Sequence, residues 1–584
     1  MGPYTVQQEA GRIFHDILLQ DARLGLPPEV HAAASHTSFV TGTTIARPFI
    51  PVPTKVTECS AALWALLATY ANTITAQRFG DDGHHPVRDY QKVVVDSDAA
   101  TAFTFSFLLL KLGGKPAATD PDIVSARIRP RDTTQQFQPW RRLCTNVYQC
   151  GDGRWFHSHG GLDASPSLRM LGLPTHQPEL VDEMKIISQY ADHFRANVDD
   201  AAWLDTECNE HWRQAGTLCL TTQEYRESAQ GRAVGDDPLY LVEESDLDIL
   251  STPIPWPSPQ TSLNSQTRMR PLEGIKLLDL TRAIAGPTIA RLAALFGATV
   301  VRISNKPLPE LTTLLFESNL GKRDVDLNLK TETGREALRC LLEDADVILD
   351  GYRPGVLERL GFGPAYVQGL ARRRGKGIVY ARENCYGWKG PLAHRSGWQM
   401  ISDAVTGLAW EFGEFMGVEG EPIGNSPGLS FTPSSLPPLP NSDYQTGIVG
   451  CLAIMNALDR RAKKGGNYLV SVSLNQYNSF LISLGFHDAV VRDELRKMWD
   501  HSFRPRHYDD MHRMLAILNR ELPKKAPSLF DPKHMMSIKA ELGVEDEVMD
   551  FLGPPVSFDV TRLGYDVGSC GKGSHKPEWP MQGE

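Results

Sequence analysis

The segment "TRAIAGP" (Thr281–Pro287) places an arginine in a turn between two kinds of hydrophobic pattern. Before it stands "LLDL", a short apolar run. After it "GPTIARLAALFG" has helical spacing, and "ATVVRIS" is β-branched. The order is strand, turn, helix, strand, a βαβ unit whose first turn commonly holds a nucleotide. The glycines of such sites are missing here. There is no GxGxxG and no GxxxxGK[ST], so neither a dinucleotide nor an ATP cradle is encoded. What remains is anion chemistry. Arg282 sits in the turn, and "GYRPGVLER" brackets the opening of another helix with Arg353 and Arg359. Guanidinium groups and helix N-termini both suit phosphate. A tight turn with proline at the first helical position accounts for Gly286 and Pro287.

Three further groups of residues could do chemistry. "EFGEFMGVEGEP" carries the acids Glu411, Glu414, Glu419 and Glu421. Cys385 in "ARENCYGW" would suit acyl transfer if a histidine stood beside it. A single cysteine at a strand end reads instead as a small buried residue. His157 and His159 in "RWFHSHGG" alternate along a strand and share a face. Two ligands without a third or fourth are too few for a metal, so the pair reads as a half-exposed strand and no metal site is expected.

These residues must be positioned by a chain of 584 residues, long enough for two or more domains. At 41% hydrophobic and 22% charged the composition is that of a globular protein. A net charge of -10 argues against general nucleic-acid binding. No stretch reaches the roughly 18 apolar residues of a membrane span. "MGPYTVQQEAGRIFHD" has no basic region followed by an apolar core, so no signal peptide is expected. Nine scattered cysteines without a CxxC fit reduced thiols, and the cytoplasm is the expected compartment.

"STPIPWPSPQTSLNSQTRMRP" (251–271) is rich in Pro, Ser and Thr and reads as a linker. It divides the chain into residues 1–250 and 272–584. The two parts share a fragment. "AALWALLATYANTITAQRFG" followed by "KVVVDSDAATAF" parallels "GIVGCLAIMNALDRRAKKGG" followed by "YLVSVSLNQYNSF". Each is an Ala-rich apolar helix, then Arg and Gly, then a β-branched strand, then a polar helix start, which reads as a diverged internal repeat. In the N-terminal part "CGDGRWFHSH" carries a hairpin-turn signal and marks a small α+β unit.

Taken in order, the C-terminal segments resemble the class III CoA-transferases, the family of formyl-CoA and carnitine-type CoA transferases and α-methylacyl-CoA racemases. "PLEGIKLLDLTRAIAGP" is similar to the family's opening strand and turn. "LFGATVVRIS" is similar to its second strand. "SNLGKRDVDLNLKTETGREAL" follows its asparagine–glycine–lysine–arginine segment, and "LLEDADVILDGYRPGVLERLGFG" its proline–glycine segment. "GIVYARENCYGWKGPLA", "SGWQMISDAVTGLA" and "DRRAKKGGNYLVSVSL" continue the series. The resemblance covers residues 271–480, and residues 1–250 resemble a later, partial copy of the same family with its small domain.

The resemblance implies an α/β fold: a doubly wound, Rossmann-like parallel sheet with a smaller α+β domain. It implies that the opening turn serves coenzyme A as a substrate, with no permanently bound cofactor. Arg282, Ala283, Tyr352, Val356, Arg359 and Asn384 match the CoA-contacting positions. It implies transfer of CoA between an acyl-CoA and a small carboxylic acid through a carboxylate nucleophile. The family has an aspartate after the helix matched by "DAVTGLA". The segment here, "VTGLAWEFGEFMGVEGEPIG", has no aspartate, and Glu419 matches the pattern best. Gln399 replaces the aspartate of the racemase branch, and Asn384 replaces a basic residue near the pantetheine. The glycine-rich lid has no clear equivalent. A non-catalytic binding protein is therefore the second reading and a racemase the third. Family members are interlocked homodimers; a homodimer and a monomer whose two copies pair internally both stay open.

Overall fold

A computed structural model of the protein describes residues 4–42, 47–79, 89–246, 249–250, 252–257, 268–418, 420–423, 441–499, 503–509, 517 and 520–580. The apolar runs of the C-terminal part become strands of one sheet. We label them β1 (Leu241–Ser245), β2 (Lys276–Leu280), β3 (Thr299–Ser304), β4 (Lys322–Asp326), β5 (Val347–Asp350), β6 (Val379–Asn384) and β7 (Asn467–Ser473). The spatial order is β4-β3-β2-β5-β6-β7-β1. All neighbours are parallel except β1, which runs antiparallel to β7. Counted from β2, the parallel strands follow the order 3-2-1-4-5-6 of a doubly wound sheet. Successive residues of one strand feed opposite cores: Leu277 joins one cluster and Leu278 the other. This is why the central strands are apolar without alternation.

Three helices build the larger core: α1 (Val56–Phe79), α2 (Ala285–Leu295) and α3 (Asn441–Lys464). α1 is buried on every side from Val56 to Thr75, which its largely apolar and small-residue sequence allows. α3 packs against both α1 and α2. A Cβ on Gly447 would lie 2.3 Å from the Thr288 side chain, so a hydrogen there lets α3 approach α2. The start of α3 is pinned as well. Tyr444 Oη donates to Glu317 at 2.5 Å, and Glu317 also pairs with the buried Arg291 at 2.9 Å.

Segments on either side of 251–271 interleave. β1 extends a sheet otherwise made of residues 276–473. Lys111–Leu112 pairs with Val548–Leu552, and Val93–Asp96 with Val556–Phe558. Both members of the shared fragment fold in the same order: a 24-residue helix (α1, α3), a strand (Val93–Asp96, β7) and a helix (Ser97–Phe103, Leu474–Ser483). Residues 258–267 of the expected linker lie outside the described residues.

The smaller α+β unit is built on the hairpin that the Asp152–Gly153 turn predicts. Asn146–Gln149 pairs antiparallel with Trp155–Ser158, and Gly216–Leu218 adds a third strand. The helix Glu183–Asn197 covers them, with Trp140, Tyr148, Tyr190 and Phe194 stacked between at 4.7–5.3 Å. Among the described residues no helix is long and apolar enough to cross a membrane.

Candidate active site

A cavity of about 400 Å³ opens at the carboxyl ends of the parallel strands, where β2 and β5 lie side by side. Their chains leave in opposite directions there, the place where open α/β sheets bind ligands. Its floor is the turn after β2 (Arg282–Ala285), the turn after β5 (Gly351–Pro354), the end of β6 (Glu383–Cys385), and the helix starts at Asp443 and Leu474. The small unit supplies the roof through Gly161, Leu162, Asp163 and Pro166. The volume is within the roughly 300–1,000 Å³ of small-molecule sites.

Buried ion pairs hold the floor in place. Asp279, at the end of β2, accepts from Thr281 N at 3.0 Å and pairs with Lys322 at 2.7 Å; both charged groups are fully buried. Lys322 also donates to the carbonyl of Pro287 in α2 at 2.8 Å. Burial pulls the ammonium down to about 8, and Asp279 opposes that pull. The "GKR" and "LLDL" segments thus form one anchor beneath the Arg282 turn. A Cβ on Gly286 would lie 2.6 Å from Thr281, so the glycine is required by close approach. Ala283 holds φ = 71°, a left-handed conformation costly for a residue with a Cβ, of order 1–3 kcal/mol. The strain falls on a residue that faces the cavity.

Of the residues singled out from sequence, Arg282, Ala283, Tyr352 and Asn384 meet on this cavity. Arg282 donates to the carbonyl of Pro309 and lies 3.8 Å from Glu310. Asn384 donates to the carbonyls of Gly387 and Ala393 and accepts from Gly387 N, so its amide shapes the loop as well as lining the site. Val356 and Arg359 form the short helix after the β5 turn and are not part of the lining. Arg353 does line the cavity, and it donates to the carbonyl of Arg213 at 2.9 Å. Glu419 lies outside the described residues. Its neighbours Val418 and Gly420 line a different cavity, with Glu411 and Glu414, and Glu421 is bound by Arg506 at 2.6 Å.

The reading of His157 and His159 as a half-exposed strand is corrected. Both are buried, at 0% and 5% exposure. The helix Gln399–Thr406 packs over that face, and Trp398 stacks on His159 at 5.2 Å. Among the described residues no three potential metal ligands gather anywhere. Cys385 is buried, and its thiol is pushed far up by burial and by Glu383, so it stays neutral. Gln399 donates to Asp403, and the exposed His394 pairs with Glu210 at 2.8 Å.

On the floor of the cavity lie two carboxyl groups that went unnoticed in the sequence, Glu383 and Asp443. Neither accepts a hydrogen bond from a described residue. Burial and the charge of Asp350 push Glu383 up to about 7. Burial, Glu383 and Asp403 push Asp443 well above the usual range. Opposing this, Asp443 sits in the first turn of the 24-residue α3, whose dipole favours an anion. The sequence signal was available: one acid opening a long run of small and apolar residues.

A CoA-transferase family III model matches residues 272–505. An acetyl-coenzyme A transferase (nodX) of Hypoxylon pulicicidum is 38% identical over 586 aligned residues, covering 99% of this chain and 94% of its own. An acyl-CoA transferase of Gibberella moniliformis is 29% identical, covering 88% of this chain and 85% of its own. Formyl-CoA:oxalate CoA-transferase of Escherichia coli is 26% identical over 38% of this chain and 52% of its own. With similarity that runs end to end and a cavity at the switch point of the expected sheet, the chain belongs to CoA-transferase family III and is an enzyme of CoA transfer.

Proposed function

We propose that Asp443 is the carboxylate that carries the exchange. The observation behind this is its place: a carboxyl at the start of α3 that accepts no hydrogen bond from a described residue, in the cavity that also holds Arg282, Ala283 and Arg353. The role expected of Glu419 moves to it. The pantetheine arm of an acyl-CoA enters along the Arg282 and Tyr352 turns, with Arg353 and the first turn of α2 favouring its phosphates.

The chemistry balances as four acyl substitutions. The Asp443 carboxylate attacks the thioester carbon, forming a mixed anhydride and releasing CoA thiolate. The thiolate attacks the aspartyl carbon, forming an enzyme thioester and releasing the donor acid. The acceptor carboxylate attacks that thioester, giving a second anhydride and thiolate. The thiolate then attacks the acceptor's acyl carbon, releasing the new acyl-CoA and the Asp443 carboxylate. A carboxylate suits this because each intermediate is a derivative of the same functional group. The raised basicity of a buried carboxyl makes its anion the stronger nucleophile.

Incubation with acetyl-CoA and no acceptor, followed by borohydride reduction and peptide mass spectrometry, tests the assignment. Aspartyl thioester is reduced to homoserine, so residue 443 should lose 14 Da. Modification of another acid instead removes Asp443 from the role.

Glu383 sets the pH range of the reaction. Its charge, ahead of that of Asp403, raises the Asp443 carboxyl. Glu383→Gln removes that charge, so Asp443 ionises at lower pH. The acid limb of kcat/KM against pH should move to lower pH in the variant; an unmoved limb, or one moved upward, excludes this coupling. The two matched helix–strand–helix fragments support the reading of a diverged internal repeat. The nine free cysteines support a reducing, cytoplasmic setting.

A further inference from the structure

Beside the main cavity lies a second, more enclosed one of about 40 Å³, and Gly161, Leu162 and Trp398 line both. On its lining, His159 Nε2 and Gln136 Nε2 have no acceptor among the described residues. The histidine proton can be placed. Gly161 N donates to His159 Nδ1 at 2.8 Å, so Nδ1 must present a lone pair and the ring proton sits on Nε2. Burial, and then His157, hold the ring well below the usual histidine range, which keeps it neutral. The ring cannot turn away, because Trp398 stacks on it almost in parallel, at 4°. His159 is 5% exposed, so a donor that would normally be satisfied is held in a closed space.

We propose that this cavity receives the remote end of the acyl group and selects acyl groups carrying a neutral oxygen there, a hydroxyl or keto group. The inference rests on the transfer reading of the main cavity. Two such donors on the lining of one small space call for an acceptor, and an alkyl terminus would leave both unsatisfied. The volume has room for two or three water-sized groups, which limits the occupant to a short chain end. The lining charges favour a neutral oxygen over a second carboxylate. Arg142 is bound by Glu183, Glu310 is paired with Arg302, and Asp132 adds a further negative charge.

The test compares kcat/KM for butyryl-CoA, 3-hydroxybutyryl-CoA, 4-hydroxybutyryl-CoA and succinyl-CoA with acetate as acceptor, alongside calorimetric binding of each. The intact protein should favour at least one hydroxylated thioester over butyryl-CoA by roughly ten-fold or more, since a site built to bond an oxygen rejects the analogue without it. Gln136→Met removes one donor and touches no backbone partner; His159→Phe keeps the ring and removes the other donor. Each should bring the ratio toward one, chiefly through loss of kcat/KM for the hydroxylated thioester. Gln136→Met carries the test alone if loss of the Gly161 contact prevents His159→Phe from folding. Equal use of butyryl and hydroxybutyryl thioesters, a preference for succinyl-CoA, or a ratio unchanged in Gln136→Met overturns the selection while leaving CoA transfer standing. A protein that binds and transfers none of the four overturns the transfer reading and this inference with it.

Discussion

Asp443→Asn should lower CoA transfer by on the order of 10³-fold or more while leaving the protein folded. An amide cannot form the anhydride, and a neighbouring acid would have to act from a displaced position, where ångström-scale errors are costly. The folding half of the expectation follows from the same geometry. Asp443 accepts no hydrogen bond from a described residue, and burial, Glu383 and Asp403 all push its carboxyl up. Replacing it with a neutral isostere removes that repulsion and breaks no hydrogen bond to a described residue, so the thermal midpoint should stay level or rise. Loss of activity with gain of stability is the signature of a group kept for chemistry. Calorimetric titration with CoA should show binding retained. Glu419→Gln, measured in parallel, should keep turnover within a few-fold of the parent. Asp443→Asn activity within ten-fold of the parent, or a Glu419→Gln protein that is inactive but folded, would return the role to Glu419.

The sheet was legible because its signals are local. "LLDL", "ATVVRIS", "VILD" and "YLVSVS" are apolar or β-branched runs buried on both faces, and each became a strand. The Arg282 turn was legible for the same reason, since strand, turn and helix adjoin in the chain. Asp443 was not, because its role depends on a contact distant in sequence. Residues 424–440 separate it from the helices that set the expected spacing, and the start of α3 is held by contacts distant in sequence, Gly447 on Thr288 and Tyr444 on Glu317. His159 was misread for a related reason. Alternation along a strand shows which side chains share a face, not what covers it, and the covering Trp398 lies more than 200 residues away. β1 shows the limit of reading a Pro-rich stretch as a boundary. It precedes that stretch, yet it completes the sheet that follows it.

Lys322→Met should be the most destabilising single change near the site, by about 3–5 kcal/mol. The ammonium is fully buried between Asp279 and the carbonyl of Pro287, and removing it leaves Asp279 as a buried charge facing a thioether. Methionine matches the length of the lysine stem, so lost volume contributes little. The loss is therefore electrostatic, and a double variant can show it. Adding Asp279→Asn to Lys322→Met removes the orphan charge, and the amide can still accept from Thr281 N. The double variant should recover a substantial part of the stability, giving a coupling energy above 1 kcal/mol in a denaturant-unfolding cycle. The effect should also reach function, because Asp279 and Pro287 flank the Arg282 turn on both sides. CoA affinity in the folded fraction of Lys322→Met should fall, and it should recover less in the double variant than stability does, since the bridge between β2 and α2 stays broken. Additive losses in the cycle would mean that Lys322 and Asp279 act separately, and the turn would then owe its shape to the Gly286–Thr281 contact instead.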